Sequence, residues 1–132
     1  MAAQQRPLSP HLQVYTQPLT AGAMSIFHRI TGAVLAIGAF LVPAWLLAVA
    51  GGSDAFARFA ACAASWPGII AMALGTVALV YHLLNGIRHL FWDMGKGFGK
   101  ESAHASGLAV LALAVLVSAV LLMAGLRAGG VA

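Results

Sequence analysis

Three long stretches of this 132-residue chain hold no acidic or basic side chain: Ile30 to Ser53, Phe59 to Ile87, and Ser102 to Leu126. A bilayer core about 30 Å thick is crossed by roughly 20 helical residues, so each stretch can span it once. In hydrocarbon the backbone must satisfy its own hydrogen bonds, and an isolated apolar run does so as a helix. Composition agrees, with 61% apolar and 8% charged residues against about 25% charged in a soluble domain. The sequence predicts an all-α membrane protein with three transmembrane helices. These spans use nearly all of the sequence and leave no stretch within it for a nucleotide-binding or hydrolytic domain.

The expected organisation is an N-terminal segment over 1–22, a first span over 23–50, an outer loop over 51–64, and a second span over 65–91. A cytoplasmic loop over 92–105, a third span over 106–127 and a tail over 128–132 complete it. Pro43 predicts a kink in the first span, tolerated where neighbours satisfy the freed carbonyl. Gly51-Gly52-Ser53-Asp54 reads as a turn, followed by a short amphipathic piece around 55–61. Ser65 is the expected N-cap of the second span, with Pro67 in its first turn. Asp93 to Lys100 is a glycine-rich, basic loop without the spacing of a phosphate-binding loop. Met1 to Thr20 lacks the compact apolar core of a cleaved signal and is expected to lie on the membrane surface or a partner. The single Cys62 excludes a disulfide framework and reads as a small packing residue.

Basic residues set the expected orientation. With the N-terminus inside, Arg6, Arg29, Arg88, Lys96 and Lys100 are cytoplasmic, while Arg58 and Arg127 are outside. The net charge of +4 comes from few residues scattered at span ends. That distribution serves anchoring and topology, not nucleic acid.

Two polar constellations interrupt the apolar spans. On one, His82, Asn85, Gly86 and His89 share a stripe of the second helix by the three-, four- and seven-residue rule. Imidazole in a bilayer is costly unless something binds it, and a metal or haem iron is the natural partner of a neutral imidazole. Gly86 leaves room for a flat macrocycle or for close helix packing. Asp93, four residues after His89, is placed to orient that ring. His82 lies roughly 9 Å deeper than Arg88 at about 1.5 Å per residue. On the other, Ser25, His28, Arg29 and Gly32 share a face at the start of the first helix. A hydroxyl, an imidazole and a guanidinium converging there suit a ligand with oxygen acceptors; the plainer alternative is a snorkelling Arg29 with interfacial neighbours. His11 and His104 lie outside the expected spans and carry little weight.

The segments Arg6-Pro7-Leu8-Ser9-Pro10-His11-Leu12, Ser25-Ile26-Phe27-His28-Arg29-Ile30-Thr31-Gly32 and His82-Leu83-Leu84-Asn85-Gly86-Ile87-Arg88-His89-Leu90-Phe91-Trp92-Asp93 closely resemble the cytochrome b subunits of succinate dehydrogenase. The likeness is greatest to their mitochondrial and alphaproteobacterial branch. It implies that His82 is an axial ligand of one haem b, with the second ligand on another small membrane anchor subunit. It also implies that Ser25, Ile26 and Arg29 line a ubiquinone site beside an iron–sulfur subunit. His28, Arg29 and His89 then lie near the haem propionates, and Asp93 is an acidic position of the motif. The further partner is a flavoprotein subunit that carries the succinate chemistry. The implied location is the bacterial inner membrane with the N-terminus cytoplasmic, or alternatively the mitochondrial inner membrane. Competing readings are a fumarate reductase anchor running the reaction in reverse, and a structural anchor whose polar residues only join helices. A channel or transporter is disfavoured by the featureless third span and the lack of an inverted repeat.

Overall fold

The computed structural model describes residues 19–129. Five helices follow in order: α1 (Leu19–Gly38), α2 (Leu41–Ala50), α3 (Ser53–Ala64), α4 (Trp66–Asp93) and α5 (Lys100–Ala128). Three apolar helical stretches are long enough to cross a membrane: Gly22–Ala50, which combines most of α1 with α2, Trp66–Asp93, and Lys100–Ala128. At 28 or 29 residues each they extend roughly 42–44 Å, longer than the hydrocarbon core needs. The expectations for residues 1–18, including the Ser9-Pro10-His11 segment, lie outside the described residues.

The first span is broken where a proline geometry dictates. Pro43 has no N–H, and its ring crowds the carbonyl of residue i−4, which is Ala39. The helix accordingly gives way at Ala39 and Phe40. The freed carbonyl of Ala39 accepts instead from the Val42 amide at 3.2 Å, one residue short of the α register. The backbone of the same span, not a neighbouring helix, resolves the kink.

Two boundaries differ from expectation. α1 begins at Leu19 and not near residue 23, and α5 begins at Lys100 and not near 106. Both extensions carry polar or charged residues, which limit where a helix enters lipid but not where it starts. The connection between the first and second spans contains a full helix, α3, longer than the expected piece over 55–61.

Ser65 turns α3 into α4. Its extended backbone and hydroxyl, which accepts from Gly68 N at 3.3 Å, form the expected N-cap, with Pro67 in the first turn. The same hydroxyl donates to the Cys62 carbonyl at 2.6 Å. A Cβ at Gly68 would run into the carbonyls of Cys62 and Ala63, the latter at 2.6 Å. Gly68→Ala is therefore expected to open this corner and destabilise the protein by about 1–3 kcal/mol. Comparing thermal unfolding in detergent with that of Gly75→Ala, where a Cβ meets nothing within 4 Å, measures the effect.

α4 ends in a Schellman turn. Gly95 sits at φ +76°, its amide donates to Trp92 O at 2.7 Å, and the Lys96 amide reaches back to Phe91 O at 3.0 Å. Gly97, also left-handed at φ +79°, lets its carbonyl accept from Trp92 Nε1 at 3.2 Å. The chain thereby reverses over a few residues and lays α5 along α4.

A small core of Met24, Val80, Tyr81, Val110 and Ala114, with Leu84 against it, joins α1, α4 and α5. The Tyr81 hydroxyl donates to Met24 O at 2.9 Å across the α1–α4 contact. Gly107, Val110, Ala114 and Ser118 form the buried stripe of α5, where small side chains let helices approach closely. Most large apolar side chains face outward, as lipid or partner helices allow.

Candidate functional site

Three imidazoles stack in the groove between α1 and α4. The His28 ring lies 3.9 Å from that of His82 at an interplanar angle of 10°, and 5.0 Å from that of His89 at 19°. His82 and His89, two turns apart, thus hold His28 between them. A glycine on α1 makes the close approach possible. A Cβ at Gly32 would stand 3.0 Å from His82 Cε1, and one at Gly86 would stand 3.9 Å from His28 Cε1. At Gly86 that distance is ordinary van der Waals contact, so the tight approach is the one at Gly32.

Hydrogen bonds fix two of the rings. His82 Nδ1 is 3.1 Å from the His28 carbonyl, which can only accept, so Nδ1 carries the proton. Thr31 Oγ1 is 3.2 Å from the same nitrogen. Its own hydrogen is engaged by the carbonyls of Phe27 at 2.8 Å and His28 at 3.0 Å, so its lone pair faces the imidazole. In the neutral imidazole this tautomer leaves the lone pair on Nε2, the arrangement a metal ligand requires. His89 Nδ1 donates to Asn85 O at 2.7 Å by the same logic. The carbonyl of Asn85, not the carboxylate of Asp93, orients that ring; Asp93 is exposed.

The predicted stripe divides in space. His82, Gly86 and His89 face α1, whereas Asn85 is fully buried and its Oδ1 is 3.5 Å from Arg88 Nη1. Arg88, counted as a charge at the membrane edge, is only 6% exposed. Its Nε donates to Ser106 Oγ at 3.0 Å and its Nη2 to Ala103 O at 2.8 Å, while its guanidinium lies 4.0 Å over the Trp92 ring. Arg88 therefore clamps α5 to α4 and does not join the histidines.

The first constellation divides as well. His28 and Gly32 turn into the α4 contact, while Ser25 is half-buried and Ile26 and Arg29 are exposed. On a helix these positions span a sector of about 160°, wide enough for one edge to pack and the other to face outward. Ser25, Ile26 and Arg29 are thus not drawn into the imidazole stack by this chain alone. His104 lies in the first turns of α5. The sequence pattern did not single out Tyr81 or the Thr31–His82 contact. A phenol beside His82 in a charge-free run was the available signal for the former.

Face-to-face stacking keeps the three imidazoles from converging on one ion, and no group of three potential metal-ligating residues converges among the described residues. The donor set suits a metal carried in its own macrocycle, which His82 would hold from this chain. His28 Nδ1, within the stack, is buried without a partner, and buried polar atoms normally have one. The residues present fit a haem.

The fold and site define an all-α membrane protein of three apolar spans with a histidine array near one end of two of them. The sequence profile of the succinate dehydrogenase/fumarate reductase transmembrane subunit family matches residues 2–121. The chain belongs to that family. It is 46% identical over 118 residues to the succinate dehydrogenase cytochrome b556 subunit of Paracoccus denitrificans, covering 89% of this chain and 90% of the relative. It is 44% identical over 115 residues to the mitochondrial cytochrome b560 subunit of Bos taurus, covering 86% and 68%. With the b556 subunit of Rickettsia felis it shares 37% identity over 118 residues, covering 88% and 90%.

Proposed function

We propose that this chain is the cytochrome b membrane anchor of a succinate:ubiquinone oxidoreductase. The observation that carries this reading is the His82 imidazole, whose Nδ1 is engaged by the His28 carbonyl so that the neutral ring would offer Nε2 to a metal. His82 would hold haem b from this side, and a second membrane anchor subunit would supply the other axial ligand. His28 and His89 would lie toward the propionates. The haem, when bound, supplies a one-electron redox centre within the membrane.

The remaining roles belong to side chains at the same membrane edge. Ser25 would donate its hydroxyl hydrogen to a ubiquinone carbonyl, and Arg29 would stabilise negative charge as the quinone is reduced. Ile26, exposed beside them, would give the ring an apolar wall. Reduction to the quinol takes up two electrons and two protons; the electrons come from an iron–sulfur subunit docked at this edge. Succinate oxidation itself belongs to the flavoprotein subunit, so this chain positions the quinone and does no chemistry on succinate. The exposure of Ile26 and Arg29, with Ser25 half-buried beside them, supports a pocket completed by partner subunits. The complex would lie in a bacterial inner membrane with this N-terminus cytoplasmic, the orientation favoured by the basic residues. The names of the relatives support succinate oxidation over fumarate reduction as the working direction.

Ser25→Ala and Arg29→Ala test this. Removing an oriented donor to a developing oxyanion costs roughly 10²–10³ in rate in well-ordered sites. Each variant complex is expected to lose ubiquinone reduction by about tenfold or more while oxidising succinate normally with a soluble electron acceptor. Equal loss of both activities rejects the quinone-site role.

A further inference from the structure

The flank of α4 turned away from the histidines carries a second feature. Between α4 and α5, toward the C-terminal end of α4, lies a cavity of about 380 Å³. Arg88, Lys96, Ser102 and Ser106 line one end, and Leu84, Ile87, Val110 and Leu113 continue it along the helices. None of His28, His82 and His89 takes part.

The charge in this groove is uncompensated. The Arg88 side chain is buried, and its hydrogen-bond partners are a hydroxyl, an amide oxygen and a backbone carbonyl, all neutral. A guanidinium carries more N–H donors than these partners use. A buried cation is normally paired with an anion, because neutral dipoles only partly replace its hydration. The acidic residues at this end, Asp93 and Glu101, are exposed and do not line the cavity. Lys96 adds a second positive charge and the Ser102 hydroxyl adds a donor, while the Ser106 hydroxyl is engaged by Arg88 and Ala103 O. Charge and donors at the edge of the bilayer, with an apolar track beneath, match the two halves of a phospholipid.

We propose that this α4–α5 groove binds an anionic phospholipid, its phosphate held by Arg88 and Lys96 and one acyl chain laid along Leu84, Ile87, Val110 and Leu113. Basic pockets between membrane helices hold anionic headgroups in this way. The Trp92 ring, 4.0 Å from the Arg88 guanidinium, fixes the cation and sits at the depth where indoles favour the interface. The proposal goes beyond the haem and quinone reading and requires only the membrane position of the helices.

The test uses the whole complex, purified from membranes and reconstituted in nanodiscs of phosphatidylcholine with a small fraction of phosphatidylglycerol. Bound lipid is counted by native mass spectrometry after transfer to detergent. Wild type is expected to retain phosphatidylglycerol in preference to phosphatidylcholine, and excess inorganic phosphate is expected to leave it bound. Lys96→Glu is expected to cut retention by about fivefold or more, the effect of at least one basic contact near a membrane surface. Ala109→Trp fills the groove without changing charge and is expected to lower retention too; it carries the test alone if Lys96→Glu fails to assemble. Equal retention by wild type and assembled variants, or no preference between the two lipids, overturns the proposal. Displacement of the lipid by inorganic phosphate overturns it as well and makes the groove a site for the free anion.

Discussion

Replacing His82 with alanine is expected to remove the b-type haem bands from the reduced-minus-oxidised spectrum of the purified complex. Loss of a supporting hydrogen bond behind a metal ligand costs roughly 10–100-fold in affinity, and loss of the ligand itself should cost more. The geometry predicts a graded outcome around it. Thr31→Val removes the hydroxyl 3.2 Å from His82 Nδ1 but leaves the His28 carbonyl to hold the proton, so haem should be retained and its bands or midpoint potential altered. His89→Ala should leave the bands present, because that ring is tied to Asn85 and is assigned no iron. Unchanged bands in His82→Ala would show that the iron ligand lies elsewhere.

The second large effect needs no change at a histidine. Gly32→Leu puts a branched side chain where even a Cβ stands 3.0 Å from His82 Cε1. Overpacking of this kind forces side chains from their rotamers or pushes helices apart, typically at 1–3 kcal/mol and sometimes more. Here the group that must move is the proposed iron ligand, and its movement breaks the bond to the His28 carbonyl. The variant should therefore lose haem nearly as fully as His82→Ala while retaining the imidazole. Gly32→Ala, which asks the ring to give by only a few tenths of an ångström, should lose less. Gly75→Leu, on α4 where nothing lies within 4 Å of an added Cβ, should bind haem as wild type does. A haem content indifferent to residue size at position 32 would mean that His82 does not work from the position it occupies against α1.

Both predictions depend on contacts that no helical wheel displays. A wheel assigns each residue an angle and correctly puts His82, Gly86 and His89 together, since one backbone period governs them. It also placed Asn85 on that stripe, yet Asn85 lies toward Arg88 because the stripe is wide and α4 has neighbours on two sides. Arg88 shows the limit most clearly. As sequence it is a basic residue marking a membrane boundary; in the fold it is buried under α5, because the Schellman turn at Gly95 brings Ala103 and Ser106 within its reach.

What the amino-acid sequence determined by itself is the part of this protein set by local physics. Charge-free runs long enough for a bilayer specify three apolar helices, since lipid offers the backbone no other partner. Ser65 and Pro67 mark a helix start, and Pro43 marks a break, through steric and hydrogen-bonding rules that act within one turn. The histidine spacing pointed to one polar face for the same reason. The tertiary structure alone decided which atoms meet across helices: His28 between His82 and His89, the proton held on His82 Nδ1, and the Arg88 clamp beside an anion-ready groove. Those outcomes depend on how α1, α4 and α5 rotate and press together, and that is set by the summed packing of small residues such as Gly32, Gly86 and Gly107 rather than by any one segment's own preference.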